Sequence, residues 1–270
     1  MPHFFVSPLR IRDGQFALAP EESAHLARVL RKKIGDEVRL FDGVDHSYRA
    51  VLDVVTPERV SGRILAELPF VETPFFFRLF QSVPKGDTFE WIIEKATELG
   101  VAEIVPLQTR RSVARVPAAR VAAKTVRWEK IVRAAAAQCG RADIPAISPP
   151  LEFDAALDRM AKNDLSLIAW EGESSKTLKS VLSAELHALA GATEAEISPT
   201  PPAVRKRGRT PPPGRTAVNV MIGPEGGFDP SEVERAAARG VRAVGLGPRI
   251  LRTETAGIFV ASSLLYEFGL

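Results

Sequence analysis

Beyond residue 75, short apolar segments alternate with amphipathic helical patterns, and this alternation restricts that part of the chain to an α/β fold. The first segment, Phe76–Val83, is nearly continuous in its apolar character, which is typical of a strand buried on both faces. Further strands are predicted at Val101–Leu107, Leu165–Trp170, Val218–Ile222 and Val241–Leu246, with helices at Ala118–Gln138, Phe153–Ala161, Leu178–Leu189 and Ala256–Phe268. Strands that alternate with helices predict a parallel sheet covered by helices on both faces.

Two further helices have recognisable starts and stops. Asp87 with Glu90 matches a capping box, in which each side chain binds a backbone N–H group of the first turn. That helix is predicted to stop at Gly100, because glycine tolerates the left-handed conformation that ends many helices. Asp229, Pro230 and Glu232 predict a second helix start, and Gly240 predicts its end.

Residues 1–72 predict a small β-rich domain. Short strands are predicted at Gln15–Ala19, Glu37–Phe41, Ser47–Val55 and Arg59–Leu68, with one helix at Glu21–Arg31. Leu26 and Leu30 would share one face of that helix. Several strands at short spacing favour a small barrel, and the stretch from Pro69 to Pro74 is the predicted boundary. We therefore predict one domain over residues 1–72 and a second over residues 73–270.

Residues 191–216 interrupt the α/β pattern. They are rich in proline and threonine and carry the basic run Arg205–Arg209. Such a composition is typical of a mobile surface insertion, and the basic run leaves open the alternative of a nuclear address.

The composition excludes several classes of protein. The chain has one cysteine, Cys139, so it cannot form a disulfide within itself or a multi-cysteine zinc site. Its histidines show no metal-ligand spacing, and we expect no metal; they are His3, His25, His46 and His187. The first residues lack the pattern of a signal peptide, and no apolar run is long enough for a membrane span. We expect a cytoplasmic protein.

Basic residues are concentrated in two places, although the net charge is only +3. Residues 110–141 contain nine lysines and arginines against one acid, Glu129. Clustered cations predict a polyanionic partner such as RNA, with a solvated helix face as the alternative. The residues that we expect to bind RNA are Arg28, Arg31, Lys32, Lys33, Arg110 and Arg111.

Two glycine-containing loops follow predicted strands, at residues 223–228 and 245–256. Ligands of open parallel sheets bind outside the carboxyl ends of the strands, and glycines let the backbone approach such a ligand. The chain lacks both the dinucleotide-binding glycine pattern and the lysine of a phosphate-binding loop. An adenosine moiety is therefore the favoured ligand, although each loop taken alone could be only a tight strand-to-helix turn.

The two loops resemble the SPOUT class of methyltransferases in their residue order: Ile-Gly-Pro-Glu-Gly-Gly-Phe at 222–228 and Leu-Gly-Pro-Arg-Ile-Leu-Arg-Thr-Glu-Thr-Ala at 246–256. More closely, the chain resembles the ribosomal RNA small subunit methyltransferase E family, which makes N3-methyluridine in 16S rRNA. Supporting segments are Arg28–Arg31 with Leu40–Gly43, Glu94–Gly100 and Gln138–Arg141. The resemblance spans nearly the whole chain except the insertion at 191–216.

This resemblance implies a PUA-like RNA-binding barrel followed by an α/β domain with a trefoil knot, acting as a homodimer on the small ribosomal subunit. S-adenosylmethionine would bind in the knot. The implied cofactor-binding residues are Glu171, Ile222, Gly223, Pro224, Glu225, Gly226, Gly227, Leu246, Gly247, Ile250, Leu251, Thr253, Thr255 and Ala256.

Methylation of uracil N3 requires loss of a proton, which a cation near the carbonyl oxygens would favour. Arg252 is the first candidate for that cation, with Arg141 and Arg249 next, and Glu254 could accept the proton or orient Arg252. An ion pair of Arg252 with Glu254 that only fixes the loop is the structural alternative. Methylation of another base or of a ribose 2′-OH, and a non-catalytic role in RNA binding or ribosome assembly, remain open as alternative functions.

Overall fold

A computed structural model of the chain describes residues 2–69, 75–160, 165–184 and 216–267. Its contacts divide the chain into two compact units. The first unit combines Met1–Glu72 with Arg133–Ile144, and the second combines Thr73–Val132 with Pro145–Leu270. The predicted insertion lies outside the described residues up to residue 215, as do Phe268 and most of the predicted boundary from Pro69 to Pro74.

The first unit is built on a six-stranded sheet. Its strands are β1 (His3–Phe5), β2 (Ile11–Arg12), β3 (Gln15–Ala17), β4 (Glu37–Phe41), β5 (Ser47–Val55) and β6 (Val60–Leu68), in the order β1-β4-β5-β6-β3-β2. Strand β1 pairs with β4 in parallel, and the other pairs are antiparallel. One buried cluster of apolar side chains, including Phe16, Leu40 and Leu52, forms the core of this unit.

The helix predicted at Glu21–Arg31 is divided into two parts. An α-helical turn, α1 (Pro20–Ala24), continues as a π-helical segment, His25–Val29. A π-helical turn is wider than an α-helical one, so it changes which residues share a face. The predicted pairing of Leu26 with Leu30 is therefore wrong: Leu26 is fully buried, whereas Leu30 is 40% exposed.

A segment distant in sequence completes the first unit. The backbone N–H of Gly43 donates to the carbonyl of Ala142 at 3.0 Å, and the N–H of Ile144 donates back to Gly43 at 3.1 Å. The guanidinium of Arg133 lies 4.7 Å from the centre of the Phe5 ring. These contacts explain why residues 133–144 group with the N-terminal residues, whereas the sequence prediction divided the chain once, at residue 72.

The second unit is built on a seven-stranded sheet in which every pair of strands is parallel. Its strands are β7 (Phe75–Ser82), β8 (Glu103–Gln108), β9 (Ala146–Ile147), β10 (Leu151–Glu152), β11 (Leu165–Ala169), β12 (Thr216–Ile222) and β13 (Arg242–Val244). The order is β10-β8-β7-β12-β11-β13, with β9 also on β8. The predicted α/β class with a parallel sheet is confirmed, and the trefoil knot stays a prediction.

Helices connect these strands. They are α2 (Thr88–Glu98), α3 (Ala118–Cys139), α4 (Phe153–Met160), α5 (described over 178–184), α6 (Pro230–Ala238) and α7 (Thr253–Glu267). Among the described residues, no helix combines the length and the apolar character that a membrane crossing requires.

The side chains at the two predicted helix starts have different hydrogen bonds. At α6 the Asp229 side chain accepts from the Ser231 N–H at 3.1 Å, and the Asp229 N–H donates to Glu232 at 2.9 Å, so the predicted start is confirmed and has a capping box. At α2 the prediction is wrong, because the Asp87 side chain makes no capping hydrogen bond. The Glu90 carboxylate binds Arg127 of α3 at 2.6 Å instead of reaching back to the helix start.

A buried ionic network lies within the second sheet. Arg78 of β7 donates to Glu103 of β8 at 2.7 Å and to the side chain of Asn219 of β12 at 2.8 Å. Arg78 is 2% exposed, while Glu103 and Asn219 are fully buried. Burial holds the pKa of Arg78 below its usual value, and the Glu103 carboxylate opposes that shift. The buried charge of Arg78 therefore lies against a buried counter-charge inside the sheet.

Candidate functional site

A cavity of about 710 Å³ lies in the second unit, at the carboxyl ends of the parallel strands. Three loops form most of its wall: residues 169–173 after β11, 222–228 after β12 and 245–256 after β13. Pro84 and Thr88, from the loop and helix that follow β7, complete it. This is the edge of the sheet at which the sequence predicted a ligand.

Most of the predicted cofactor-binding residues line this cavity. They are Glu171, Ile222, Gly223, Pro224, Glu225, Gly226, Gly227, Leu246, Gly247, Ile250, Leu251, Thr253 and Ala256. Thr255 is not part of the lining found among the described residues, and its side chain is exposed. Of the proposed catalytic residues, Arg252, Glu254 and Arg249 line the cavity.

Arg141 is placed differently. It belongs to the first unit, where its Nε donates to Asp143 at 3.0 Å, and it does not contribute to the cavity lining within the described part of the chain. The basic cluster at residues 28–33 also belongs to the first unit. Arg28, Arg31 and Lys33 are exposed there, and Lys32 lies 3.8 Å from Asp36.

The sequence reasoning missed several lining residues. Trp170 and Glu173 flank the predicted Glu171. Their position at the carboxyl end of the strand predicted at Leu165–Trp170, or within three residues of it, was the available signal. Pro84 and Thr88 carried a weaker signal, because the loop after β7 contains no run of glycines.

One threonine connects two of the cavity loops. The Thr253 hydroxyl donates to the carbonyl of Gly223 at 2.6 Å and accepts from the side-chain amide of Gln81 at 2.9 Å. Gln81 is fully buried and Thr253 is 4% exposed, so water has little access to replace either bond. The first residue of α7 therefore holds the loop after β12 against the end of β7.

We predict that Thr253→Val destabilises the second unit by about 1–3 kcal/mol and weakens ligand binding in the cavity. Valine keeps the shape of threonine but leaves the Gly223 carbonyl and the Gln81 amide without their shared partner. Chemical unfolding and a ligand titration measure the two effects. Thr253→Ser keeps the hydroxyl and should restore both properties, and equal losses in the serine and valine variants would contradict this role.

Two glycines allow close contacts between the loops. A Cβ at Gly245 would come closer than 3.0 Å to the backbone oxygen of Glu173, so the loops after β11 and β13 can meet only at a glycine. The Gly245 N–H donates to Lys176 at 2.8 Å, which holds the contact in place. Gly227 adopts a left-handed φ of 66°, which a residue with a side chain rarely takes.

Four carboxylates line the cavity: Glu171, Glu173, Glu225 and Glu254. Glu225 accepts from the backbone N–H of Lys85 at 3.1 Å and so ties its loop to the segment after β7. Glu173 accepts from the Ser175 hydroxyl and from two backbone N–H groups, and these bonds lower the pKa of its carboxyl. Because the lining also contains Arg249 and Arg252, its carboxylates outnumber its arginines by four to two, and this negative balance favours a ligand that carries positive charge.

Arg110 and Arg111 lie beside the loop after β12. Arg111 donates to the Gly226 carbonyl at 3.2 Å and to Asp229 at 3.3 Å. The backbone N–H of Arg110 donates to Glu232 at 2.9 Å. Hydrogen bonds from Ser231, followed by the charges of the two arginines, lower the pKa of Asp229. The two residues that the sequence assigned to RNA therefore also support the cavity wall.

Comparisons with known proteins bear on both units. Residues 71–265 match the family model described as an RNA methyltransferase domain. Residues 18–65 match the model described as an RNA methyltransferase PUA domain.

Similar proteins cover nearly the whole chain. The ribosomal RNA small subunit methyltransferase E of Bacillus subtilis is 31% identical over 93% of this chain and 90% of its own length. The crystal structure of the Neisseria gonorrhoeae protein of the same name, bound to S-adenosyl methionine, has a TM-score of 0.77 at 28% identity and covers 98% of this chain and 97% of that one. A Legionella pneumophila methyltransferase structure in complex with the bound cofactor SAM has a TM-score of 0.77 at 31% identity, covering 98% and 96% of the two chains.

Proposed function

This chain belongs to the ribosomal RNA small subunit methyltransferase E family of RNA methyltransferases, and from that membership we propose that it methylates N3 of a uridine in 16S rRNA. It is an rRNA methyltransferase whose cofactor is S-adenosylmethionine. The observation that carries the proposal is the cavity at the carboxyl ends of β11, β12 and β13, because its three loops contain the residues expected to bind the cofactor.

The residues of the cavity fit this cofactor. A volume of about 710 Å³ lies within the range of small-molecule sites, about 300–1,000 Å³. Ile222, Leu246 and Leu251 offer apolar surface for an adenine ring, and the neighbouring glycines leave backbone groups accessible. The lining carboxylates suit a ligand whose sulfonium and ammonium groups are cationic.

When it is bound, S-adenosylmethionine supplies a methyl group on a positively charged sulfur atom. The chain's own contribution is to hold the uracil N3 in line with that methyl group and to exclude water. The hydrogen bonds from Gln81 to Thr253 and from Thr253 to Gly223 help to position the ligands, because they join two walls of the cavity. Lys85 and Glu225 tie a further wall to them.

Removal of the N3 proton is assigned to the segment that leads into α7. Arg252 lines the cavity and its side chain is exposed, so its guanidinium can reach a uracil carbonyl oxygen and stabilise the anion that forms. Glu254 lies in the first turn of α7 and also lines the cavity, where it can accept the proton or orient Arg252. Arg249 is the second candidate for the cation; Arg141 is the third, and its ion pair with Asp143 makes it the weaker choice.

We predict that Arg252→Ala lowers kcat by about a hundredfold, a typical cost of removing one group that stabilises developing negative charge. The affinity for S-adenosylmethionine should stay nearly unchanged. Steady-state kinetics on small subunits, with calorimetry for the cofactor, separate the two effects. Arg252→Lys keeps the charge and should recover part of kcat. Loss of cofactor binding or of folding in Arg252→Ala would instead show that Arg252 only fixes the loop.

The substrate is proposed to be the small ribosomal subunit, contacted through two basic surfaces. Arg28, Arg31, Lys32 and Lys33 of the first unit are assigned to the RNA backbone, as are the exposed side chains of Arg110 and Arg111. Arg110 is 71% exposed and Arg111 44% exposed, so both side chains remain accessible beside the cavity wall. Contacts of this kind give binding that weakens as salt concentration rises.

The protein is further proposed to act as a homodimer through α7. This helix buries Val260, Ala261 and Leu264 but leaves Phe259 42% exposed and Tyr266 82% exposed. Exposed aromatic side chains are typical of protein interfaces. Light scattering should give twice the mass of the chain at micromolar concentration, and a stable monomer would contradict the dimer.

The reaction itself is tested by methyl transfer from labelled S-adenosylmethionine to small subunits from cells that lack this gene, with nucleoside identification by mass spectrometry. Label in N3-methyluridine is the expected result. Label in a ribose-methylated nucleoside would keep the cofactor and move the target. The absence of label on both subunits and naked RNA would favour a non-catalytic role in RNA binding or ribosome assembly.

A further inference from the structure

A second groove, of about 460 Å³, lies on the sheet of the first unit. Its lining comes from the segment around β2 and β3 and from the facing parts of β5 and β6. None of its residues belongs to the basic cluster at 28–33 or to the cofactor cavity. It is therefore a separate feature of the molecule.

Three arginines line this groove: Arg10, Arg12 and Arg59. The lining also contains one carboxylate, Asp53, which Arg63 binds at 3.1 Å. Arg10 donates to the backbone carbonyl of Leu18 at 3.3 Å. Arg12 and Arg59 are exposed and have no ion-pair partner among the residues that the structure describes. The groove therefore has an excess of positive charge that the first unit itself does not neutralise.

The lining of the groove includes a glycine at a close contact between two strands. Gly62 of β6 lies in the lining, and a Cβ there would come closer than 3.0 Å to the backbone oxygen of Val51 and to the Phe16 ring. The pairing of β5 with β6 is irregular at this point, between Leu52 and Val54. A glycine beside an irregularity lets β5 and β6 come close where they line the groove.

We infer that this groove binds the sugar-phosphate backbone of a single-stranded RNA segment. Guanidinium groups pair with phosphate oxygens through two hydrogen bonds at once, and several of them along one groove suit a ligand with repeated phosphates. The apolar residues that the groove offers are Leu9, Phe16, Ala17 and Val54, and Phe16 is buried. No exposed aromatic ring is available for stacking among these described residues, so the groove contacts phosphates and not bases.

A single strand fits better than a duplex. A concave groove of about 460 Å³ has the volume of a small-ligand site, which suits a short stretch of one strand. A duplex is recognised mainly by the shape of its wide minor groove, which needs a broader surface. Binding in this groove is expected to be independent of base sequence and strongly dependent on salt.

The test measures the affinity of the full chain for a short fluorescein-labelled oligouridine at several salt concentrations. Each phosphate contact to a single strand contributes about 0.7 to the slope of log K against log salt. The double variant Arg12→Ala/Arg59→Ala should therefore reduce the slope by about 1.4, the sum of two such contacts. The matched control is Arg49→Ala, because Arg49 lies on the same sheet, pairs with Glu37 at 3.9 Å and is outside the groove.

An unchanged slope in the folded double variant would overturn the inference, as would an equal loss in the control. If inorganic phosphate displaces the RNA when its concentration equals that of the RNA phosphate groups, the groove is a site for a single anion and not for a strand. If the double variant reduces the salt slope of RNA duplex binding by the same amount, the groove does not select single strands. The proposed function fails separately, if the unaltered protein transfers no methyl group. The double variant can still reduce the salt slope in that case, because RNA binding in the groove does not depend on methyl transfer.

Discussion

Replacing Gly245 with alanine should lower the affinity for S-adenosylmethionine at least tenfold. The added Cβ would come closer than 3.0 Å to the backbone oxygen of Glu173, and a backbone atom cannot rotate away as a side chain can. The loops after β11 and β13 must then separate, although hydrogen bonds of Gly245 with Lys176 and Leu178 join them. Both loops line the cavity, so the separation changes the proposed cofactor site directly.

Calorimetric titration measures this loss, and a second glycine variant separates binding from stability. Gly240 ends α6 with a φ of 80° and has nothing within 4 Å of the added Cβ position, and it lies outside the cavity lining. Gly240→Ala should cost about 1 kcal/mol of folding free energy through its left-handed conformation alone. A Gly245→Ala protein that binds the cofactor normally would refute the proposed contact between the loops.

Replacing Glu103 with alanine should destabilise the second unit by about 3–5 kcal/mol, because it leaves the Arg78 guanidinium buried without its counter-charge. Asn219, which also accepts a hydrogen bond from Arg78, is neutral and cannot balance that charge. Glu103 also accepts from the Ser148 hydroxyl at 2.7 Å and pairs with Arg159, so the same change removes further bonds. Chemical denaturation measures the free energy of unfolding.

A surface ion pair provides the matched control for Glu103→Ala. Glu90 binds Arg127 at 2.6 Å, but the arginine side chain is 64% exposed, so Glu90→Ala should cost less than about 1 kcal/mol. The double variant Arg78→Met/Glu103→Leu removes both buried charges and should recover most of the lost stability. Equal costs for the two glutamate variants would show that burial does not determine the strength of the network.

Features of the fold that depend on neighbouring residues were predictable from the sequence. The start of α6 was predicted because Asp229 and Glu232 are three residues apart and bind each other's backbone groups. The start of α2 has the same pattern, but Glu90 binds an arginine 37 residues away. The π-helical segment at His25–Val29 likewise has no pattern in the sequence that periodicity detects. Local rules fail where a distant partner or a change of helix type intervenes.

The same distinction holds for the candidate site. Its loops were predicted because their glycines follow apolar strands, which is a local signal. The bond between Gln81 and Thr253 joins residues 172 positions apart, and Gln81 lay inside a segment interpreted only as a buried strand. Arg111 was assigned to RNA from its charge, and its bond to Gly226, 115 residues away, adds a role that composition does not reveal.

The central claim is that the cavity formed by the loops after β11, β12 and β13 holds S-adenosylmethionine. Calorimetric titration of the full chain with this cofactor tests it most directly, with the Gly245→Ala variant measured in parallel. The account predicts saturable binding at one site per chain and its loss in the variant. Folded wild-type protein that releases no heat of binding, or a variant that binds equally well, would contradict it.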